Sequence, residues 1–213
     1  TCAIAEKYEG NNFTSLRTAI NKWDNTDYAH PAGWNIIFGN TCNLACWSCN
    51  ENSSSVIFQH KKKAGLVSGK DPAGSNFEKF WPDLRKNILK SYEHHETVNL
   101  TLLGGEPLYN KTVIGFLQEL IDMNLAGRTR LEFHTNGTVY PYKIFPKDKK
   151  SPWQYVCMFI SLDAAGTYAE WLRYGCNWSK VDEVVDSLIA SSDYTEIHCT
   201  LTVLNINQLQ ELS

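Results

Sequence analysis

The feature that most restricts this chain is the order of its apolar patterns. Short runs with strand character occupy residues 34–38, 98–103, 130–135, 155–162 and 196–203, and stretches of helical periodicity lie between them. The helical patterns cover 53–63, 76–94, 110–125 and 179–191, the last with Val181, Val184, Val185, Leu188 and Ile189 along one stripe. Pro82 is expected in the first turn of the second pattern. Several of the strand runs read as apolar on both faces, as buried parallel strands do. Strand–helix alternation of this kind predicts an α/β fold with a parallel sheet. Periodicity leaves open whether the sheet closes toward a barrel or stays open and doubly wound. In both, ligands gather at the carboxyl ends of the strands.

Composition narrows the function classes. The 213 residues carry a net charge of −3, which is not the footprint of a nucleic-acid binder. The basic runs, Lys61 to Lys63 and Lys147 to Lys150, are short and read as solvated. No apolar stretch approaches a membrane span. The segment 65–75, with Gly65, Gly69, Pro72 and Gly74, reads as a loop. Residues 1–31 precede the first strand as an extension, and 32–213 form the core domain. The first residues lack a Met and the last resemble the opening turns of a helix, so the chain reads as a piece of a longer protein.

Three of the seven cysteines, Cys42, Cys46 and Cys49, crowd into eight positions just after the first strand. Their spacing is C-x-x-x-C-x-x-C. An odd, clustered set favours a metal site in a reducing cytoplasm over a disulfide scaffold. Thiolates suit iron–sulfur clusters or zinc. Three cysteines can hold three corners of a 4Fe–4S cube and leave one iron open. The alternative is a zinc module with His60 as a fourth ligand, although structural zinc sites commonly show two cysteine pairs.

This motif, placed on the loop after the first strand, resembles the radical S-adenosylmethionine (SAM) superfamily over roughly residues 32–213. The resemblance implies a partial (β/α) TIM-like barrel, here with about five β/α units and the fifth strand left as an edge that favours association. It implies a 4Fe–4S cluster on Cys42, Cys46 and Cys49, whose open iron chelates SAM. Reductive cleavage of SAM would give methionine and a 5′-deoxyadenosyl radical that abstracts hydrogen from a substrate. One departure is Ser48, where the family usually has an aromatic residue; Trp47 stands one place earlier. A reductant such as flavodoxin or ferredoxin is implied as a partner.

The same resemblance assigns the other strand ends. Gly104-Gly105-Glu106-Pro107 looks like the family's motif that receives the SAM ammonium group; the two glycines alone would be a plain strand-to-helix turn. Asn136, in Thr135-Asn136-Gly137, is expected to line the cofactor pocket, though Asn-Gly is also a turn signal. Ser161 and Asp163 share one face at the end of the fourth strand, near SAM. Arg173 is expected to pair with the SAM carboxylate or to form a surface salt bridge. Asn205 is expected near adenine or ribose, or as a helix cap.

Cys157 and Cys199 read as core residues inside strands, and Cys176 as core or site edge. His94 and His95 read as a polar helix end, and His134 and His198 as structural strand residues. Cys2 and its surroundings resemble the tail of a Cys-rich twitch segment, known in phage-type members, that would hold an auxiliary iron–sulfur cluster. From that resemblance comes the expectation of a peptide or protein substrate. No residue marks the hydrogen abstracted.

Overall fold

The computed structural model describes residues 30–146 and 151–208, with residues 72–76 described by their backbone only. Cys2, the extension before His30, the Lys147–Lys150 run and the last five residues lie outside the described residues. By contacts the chain divides into Thr1–Pro31 and Ala32–Ser213, and the sheet lies wholly in the second unit.

Five strands form one parallel sheet: β1 (Gly33–Ile37), β3 (Val98–Leu103), β4 (Thr129–Thr135), β5 (Tyr155–Ser161) and β7 (Tyr194–His198), in that spatial order. Spatial order follows chain order without a reversal. A doubly wound sheet reverses at a switch point, so the arrangement is that of a partial β/α barrel. Two short strands, β2 (Ala45–Cys46) and β6 (Arg173–Tyr174), pair antiparallel apart from the sheet.

The helices are α1 (Ser55–Lys63), α2 (Pro72–His94), α3 (Lys111–Asp122), α4 (Gly166–Leu172) and α5 (Trp178–Ser191). Three have local start signals. Ser54, Asn110 and Asn177 each accept a hydrogen bond from a backbone N–H of the first turn. The Asn110 side chain also donates to the Phe38 carbonyl at 3.1 Å, which ties α3 to the end of β1. An Arg85–Glu119 ion pair links α2 to α3.

The core lies on one face of the sheet only. Val98, Leu100 and Leu102 of β3, Leu131 and Phe133 of β4, and Val156, Met158 and Ile160 of β5 are buried in one cluster with Val113, Phe116, Leu117 and Leu120 of α3. Their neighbours along each strand, Asn99, Thr101, Glu132, His134, Phe159 and Ser161, face the other way and keep solvent contact. The expectation of strands apolar on both faces holds for β5, where Val156, Cys157 and Met158 are buried in succession, and is corrected for β3 and β4, whose burial alternates. A partial barrel has helices outside and an open concave side, and β3 and β4 alternate to match.

Three further boundaries differ from expectation. Helix α2 starts at Pro72, so the loop before it is shorter than predicted, and Pro82 sits within the helix. Pro82 has no N–H to offer the turn before it, yet the apolar stripe through Phe77, Trp81, Leu84 and Ile88 still packs on the core and holds the helix through that gap. The last strand runs over 194–198, not 196–203, and its residues 199–205 form a loop. Cys199 therefore lies just beyond the strand and half-buried, not inside the core, whereas Cys157 is a buried strand residue.

Candidate functional site

The cysteine loop is held by its flanks. The Ser54 hydroxyl donates to the Leu44 carbonyl at 2.6 Å, and the Cys42 N–H donates to Ser55 Oγ at 3.1 Å. Ser55 N–H in turn donates to the Asn40 carbonyl at 2.8 Å. The start of α1 thus serves as a clamp on the loop. On the opposite side, Asn136 Nδ2 donates to Asn43 Oδ1 at 3.0 Å and lies 3.8 Å from Cys42 Sγ.

The double glycine has a role that sequence reasoning assigned to the ligand. A Cβ at Gly104 would lie 2.5 Å from the Gly39 carbonyl oxygen, and one at Gly105 would lie 2.2 Å from that of Thr41. Both residues have positive φ, 93° and 53°. They let the end of β3 pass directly against the cysteine loop, where the Glu106 N–H donates to Thr41 O at 2.8 Å.

Glu106 is fully buried. Its carboxylate accepts from Leu108 N–H at 3.0 Å, Thr135 Oγ1 at 2.8 Å and Asn136 N–H at 2.6 Å. Burial nevertheless pushes its pKa up to about 7. It stands behind the wall of the site and braces the end of β4.

Cys42, Cys46, Cys49, Gly104, Gly105, Asn136, Ser161 and Arg173 all line one cavity of about 280 Å³, together with Ser48, Ser53, His134, Thr135 and Thr200. The lining comes from the carboxyl end of every strand of the sheet. Asp163 and Asn205 line a second, smaller cavity of about 70 Å³, with Trp47, Leu172, Thr202 and Leu204. Ser48 and Thr200 belong to both, so the two adjoin. Glu106 lines neither.

Arg173 reaches the cavity because β6 pairs with β2, which sets it opposite Cys46. No sequence signal marks so short a pairing. Arg173 Nη2 and Asp163 Oδ2 form a buried ion pair at 2.9 Å, so the surface salt bridge is corrected to an interior one. Its Nε is buried without a hydrogen-bond partner. A buried guanidinium in a cavity wall is suited to an anionic oxygen. Asn205 stands directly before a helical turn at 206–208, and its carbonyl accepts from the Gln208 N–H at 2.8 Å. It organises the 199–205 loop by donating to the Asp163 and Thr200 carbonyls at 2.9 and 3.0 Å and accepting from Thr202 N–H at 2.8 Å.

The thiols are unequal. Cys46 is buried and Cys49 exposed, and the hydrogen bond between them pushes Cys46 up and Cys49 down to about 6, with Arg173 lowering both. Burial raises Cys42. His60, the alternative fourth zinc ligand, stands edge-on to Tyr174 at 5.9 Å between ring centroids. Among the described residues no three His, Cys, Asp or Glu side chains are placed to grip a single ion. Three thiols on one cavity are the soft donor set that a 4Fe–4S cube takes at three of its corners. Sequence reasoning missed Ser54 and Ser55 as clamps, and Thr135 and Thr200 as lining. Only Thr135 had a signal, its place before Asn136.

Among solved structures, the chain is similar to native anSMEcpe with bound AdoMet, at 19% identity and a TM-score of 0.53, covering 84% of this chain and 46% of that one. It is also similar to SuiB of Streptococcus suis bound to S-adenosylmethionine, at 16% identity and a TM-score of 0.49, covering 99% of this chain and 46% of that one. The chain thus spans less than half the length of these structures, and the likeness to the first is one of fold. No curated protein matches. Among the described residues no helix is long and apolar enough to cross a membrane. The family model of the radical SAM superfamily matches residues 36–212, which includes the cysteine loop and every strand end described above, and the chain belongs to that superfamily.

Proposed function

We propose that this domain binds a 4Fe–4S cluster on Cys42, Cys46 and Cys49 and cleaves SAM reductively. The observation that carries the reading is the shared cavity: three thiols, two strand-end polar groups and a buried cation line one void. When bound, the cluster supplies one electron, and SAM supplies the 5′-deoxyadenosyl group that becomes the hydrogen-abstracting radical.

The chain's own residues bind and orient. Arg173 offers its guanidinium to the SAM carboxylate. The Gly104–Glu106 turn lies on the ammonium side. There Glu106 contributes negative potential from behind the wall, and a nearby cation would favour its charged form. Asn136 and Ser161 hold the middle of the cavity. Asp163 fixes Arg173, and Asn205 shapes the adjoining small cavity, which suits the adenine or ribose end. Trp47 lines that small cavity and so supplies the aromatic surface that Ser48 lacks.

The wider reading is of a cytoplasmic enzyme that receives electrons from a carrier such as flavodoxin or ferredoxin and acts on a peptide or protein. All six described cysteines are free thiols, which supports a reducing compartment. A twitch-type auxiliary cluster in the full-length protein belongs to the same proposal and rests on the resemblance around Cys2.

Anaerobic reconstitution of the full-length protein with iron and sulfide tests it. The expected result is a brown protein that forms 5′-deoxyadenosine from SAM and dithionite. Ala at Cys42, Cys46 or Cys49 should abolish the chromophore, and Glu106→Ala should weaken SAM binding while keeping it. Stoichiometric zinc with no SAM cleavage would overturn the reading.

A further inference from the structure

Asn136 lines the cysteine cavity, yet its side chain is fully engaged by the protein. Its Nδ2 donates to Asn43 Oδ1 at 3.0 Å and reaches Cys42 Sγ at 3.8 Å. Its Oδ1 accepts from the Thr138 N–H at 3.0 Å and from the Thr138 hydroxyl at 2.5 Å. A side-chain amide has two N–H donors and two acceptor sites, and all of them are used within the chain. The backbone N–H of Thr138 can only donate, so it fixes which end of the amide is oxygen and leaves the nitrogen on the side of the cysteine loop. Gly137, between the two residues, takes a φ of 71° that turns the chain back on itself.

The contacts close into a ring. Asn136 donates to Asn43, Asn43 Nδ2 donates to Thr138 Oγ1 at 2.8 Å, and Thr138 Oγ1 donates to Asn136. Each side chain gives one hydrogen bond to the ring and takes one, an order in which neighbouring bonds polarise one another in the same sense. Asn43 and Thr138 line neither cavity, so neither is placed to touch SAM there. The second Asn136 N–H leaves the ring and ends on sulfur. Cys42 Sγ also accepts from the Leu44 N–H at 3.4 Å. Cys46 and Cys49 bond to each other, and Cys49 to Ser48 of the same loop. Among the described residues, Cys42 is thus the thiol of the three that an amide at the end of a sheet strand reaches.

The geometry points to Asn136 as a positioning residue for the cluster: it holds Cys42 and donates to its sulfur, and the ring through Asn43 and Thr138 keeps it there. The inference rests on the reading of Cys42, Cys46 and Cys49 as cluster ligands. Asn136 then acts through Cys42 and not as a cofactor contact in its own right. An N–H on a ligand sulfur draws charge from it. The reduced cluster carries one more negative charge than the oxidised one and gains more from that donor. Asn136 therefore raises the potential at which the cluster accepts its electron.

The test is the midpoint potential of the cluster in the full-length protein without SAM, followed by EPR in a mediated dithionite titration. A group that only touches SAM leaves this value unchanged. Asn136→Ala should lower the one-electron reduction equilibrium about tenfold, which makes the potential about 59 mV more negative. Thr138→Val keeps the shape and loses the hydroxyl, and should lower it about threefold. Thr138→Ser keeps the hydroxyl and should match wild type. SAM affinity, measured by equilibrium dialysis on the oxidised protein, should stay at the wild-type value in Thr138→Val. A cluster-loaded Asn136→Ala protein with the wild-type potential overturns the inference, whatever its SAM affinity. So does a wild-type potential in Thr138→Val, or an equal shift in Thr138→Val and Thr138→Ser. If Asn136→Ala takes up no cluster, the two Thr138 variants decide by the same criteria. A wild-type protein that takes up no 4Fe–4S cluster removes the cluster reading, and the inference with it.

Discussion

The two faces of the sheet differ at every other residue. On β4, Leu131 and Phe133 point into the helix layer and are at most 1% exposed, whereas Glu132 and His134 between them keep more than a third of their side-chain surface. On β5 and β7 the open face continues as Phe159, His198 and Glu196, with Phe159 stacked on His198 at 4.6 Å and tilted on His134 at 4.8 Å. Each histidine also lies beside a glutamate of its own strand, His134 with Glu132 and His198 with Glu196. One face holds the fold and the other is left free for chemistry, with the cofactor cavity at the edge they share. A strand can serve both because its side chains alternate.

That division can be broken by substitution. The largest effect belongs to the covered face: Phe133→Ala should cost about 3–5 kcal/mol in chemical denaturation, since it opens a cavity in a packed core. At the shared edge the effect depends on pH. Glu106 has a folded-state pKa of about 7 against 4.5 for the free group. Its carboxyl holds a proton more tightly when folded, so its contribution is most favourable below about pH 4.5. It is lost as pH rises through about 7. The shift corresponds to about 3 kcal/mol across that window. Glu106→Gln removes the titration. The difference between wild-type and variant stability should therefore slope with pH between those values and level off outside them; parallel curves would mean that the carboxyl is not destabilised by burial. On the open face, His134→Ala should change stability by less than about 1 kcal/mol, because the ring is partly solvated and its neighbours can rehydrate. A loss as large as that at Phe133 would erase the distinction between the faces. The smallest effect is at the sheet edge: Ile197→Lys on β7 should leave the melting temperature nearly unchanged and reduce self-association measured by sedimentation.

Much of the site was legible because its parts are local. Cys42, Cys46 and Cys49 lie within one short loop, and Gly104, Asn136 and Ser161 each lie at or just past the end of an apolar run, where a parallel sheet gathers its ligands. Helix starts were legible for a similar reason, since a cap such as Asn110 or Asn177 acts within its own first turn. What escaped depends on partners distant in sequence. Pro82 argued for a helix boundary, yet the stripe from Phe77 to Ile88 packs across it. The alternation in Glu196–His198 was too short to separate an edge strand from the loop after it. Arg173 was visible as a cation, but its two-residue pairing with Ala45–Cys46 carries no periodic signal.

The chain by itself determined that strands and helices alternate, that three thiols share one loop, and which polar residues close the strands, because each follows from spacing along the backbone. Tertiary structure alone decided the strand order and hence the barrel rather than the doubly wound sheet. It also decided that the two glycines serve the cysteine loop, that Glu106 stands behind the cavity wall, and that Arg173 meets Asp163 inside it. Those outcomes depend on which surfaces exclude water from one another, and that is settled only when segments far apart in sequence pack together.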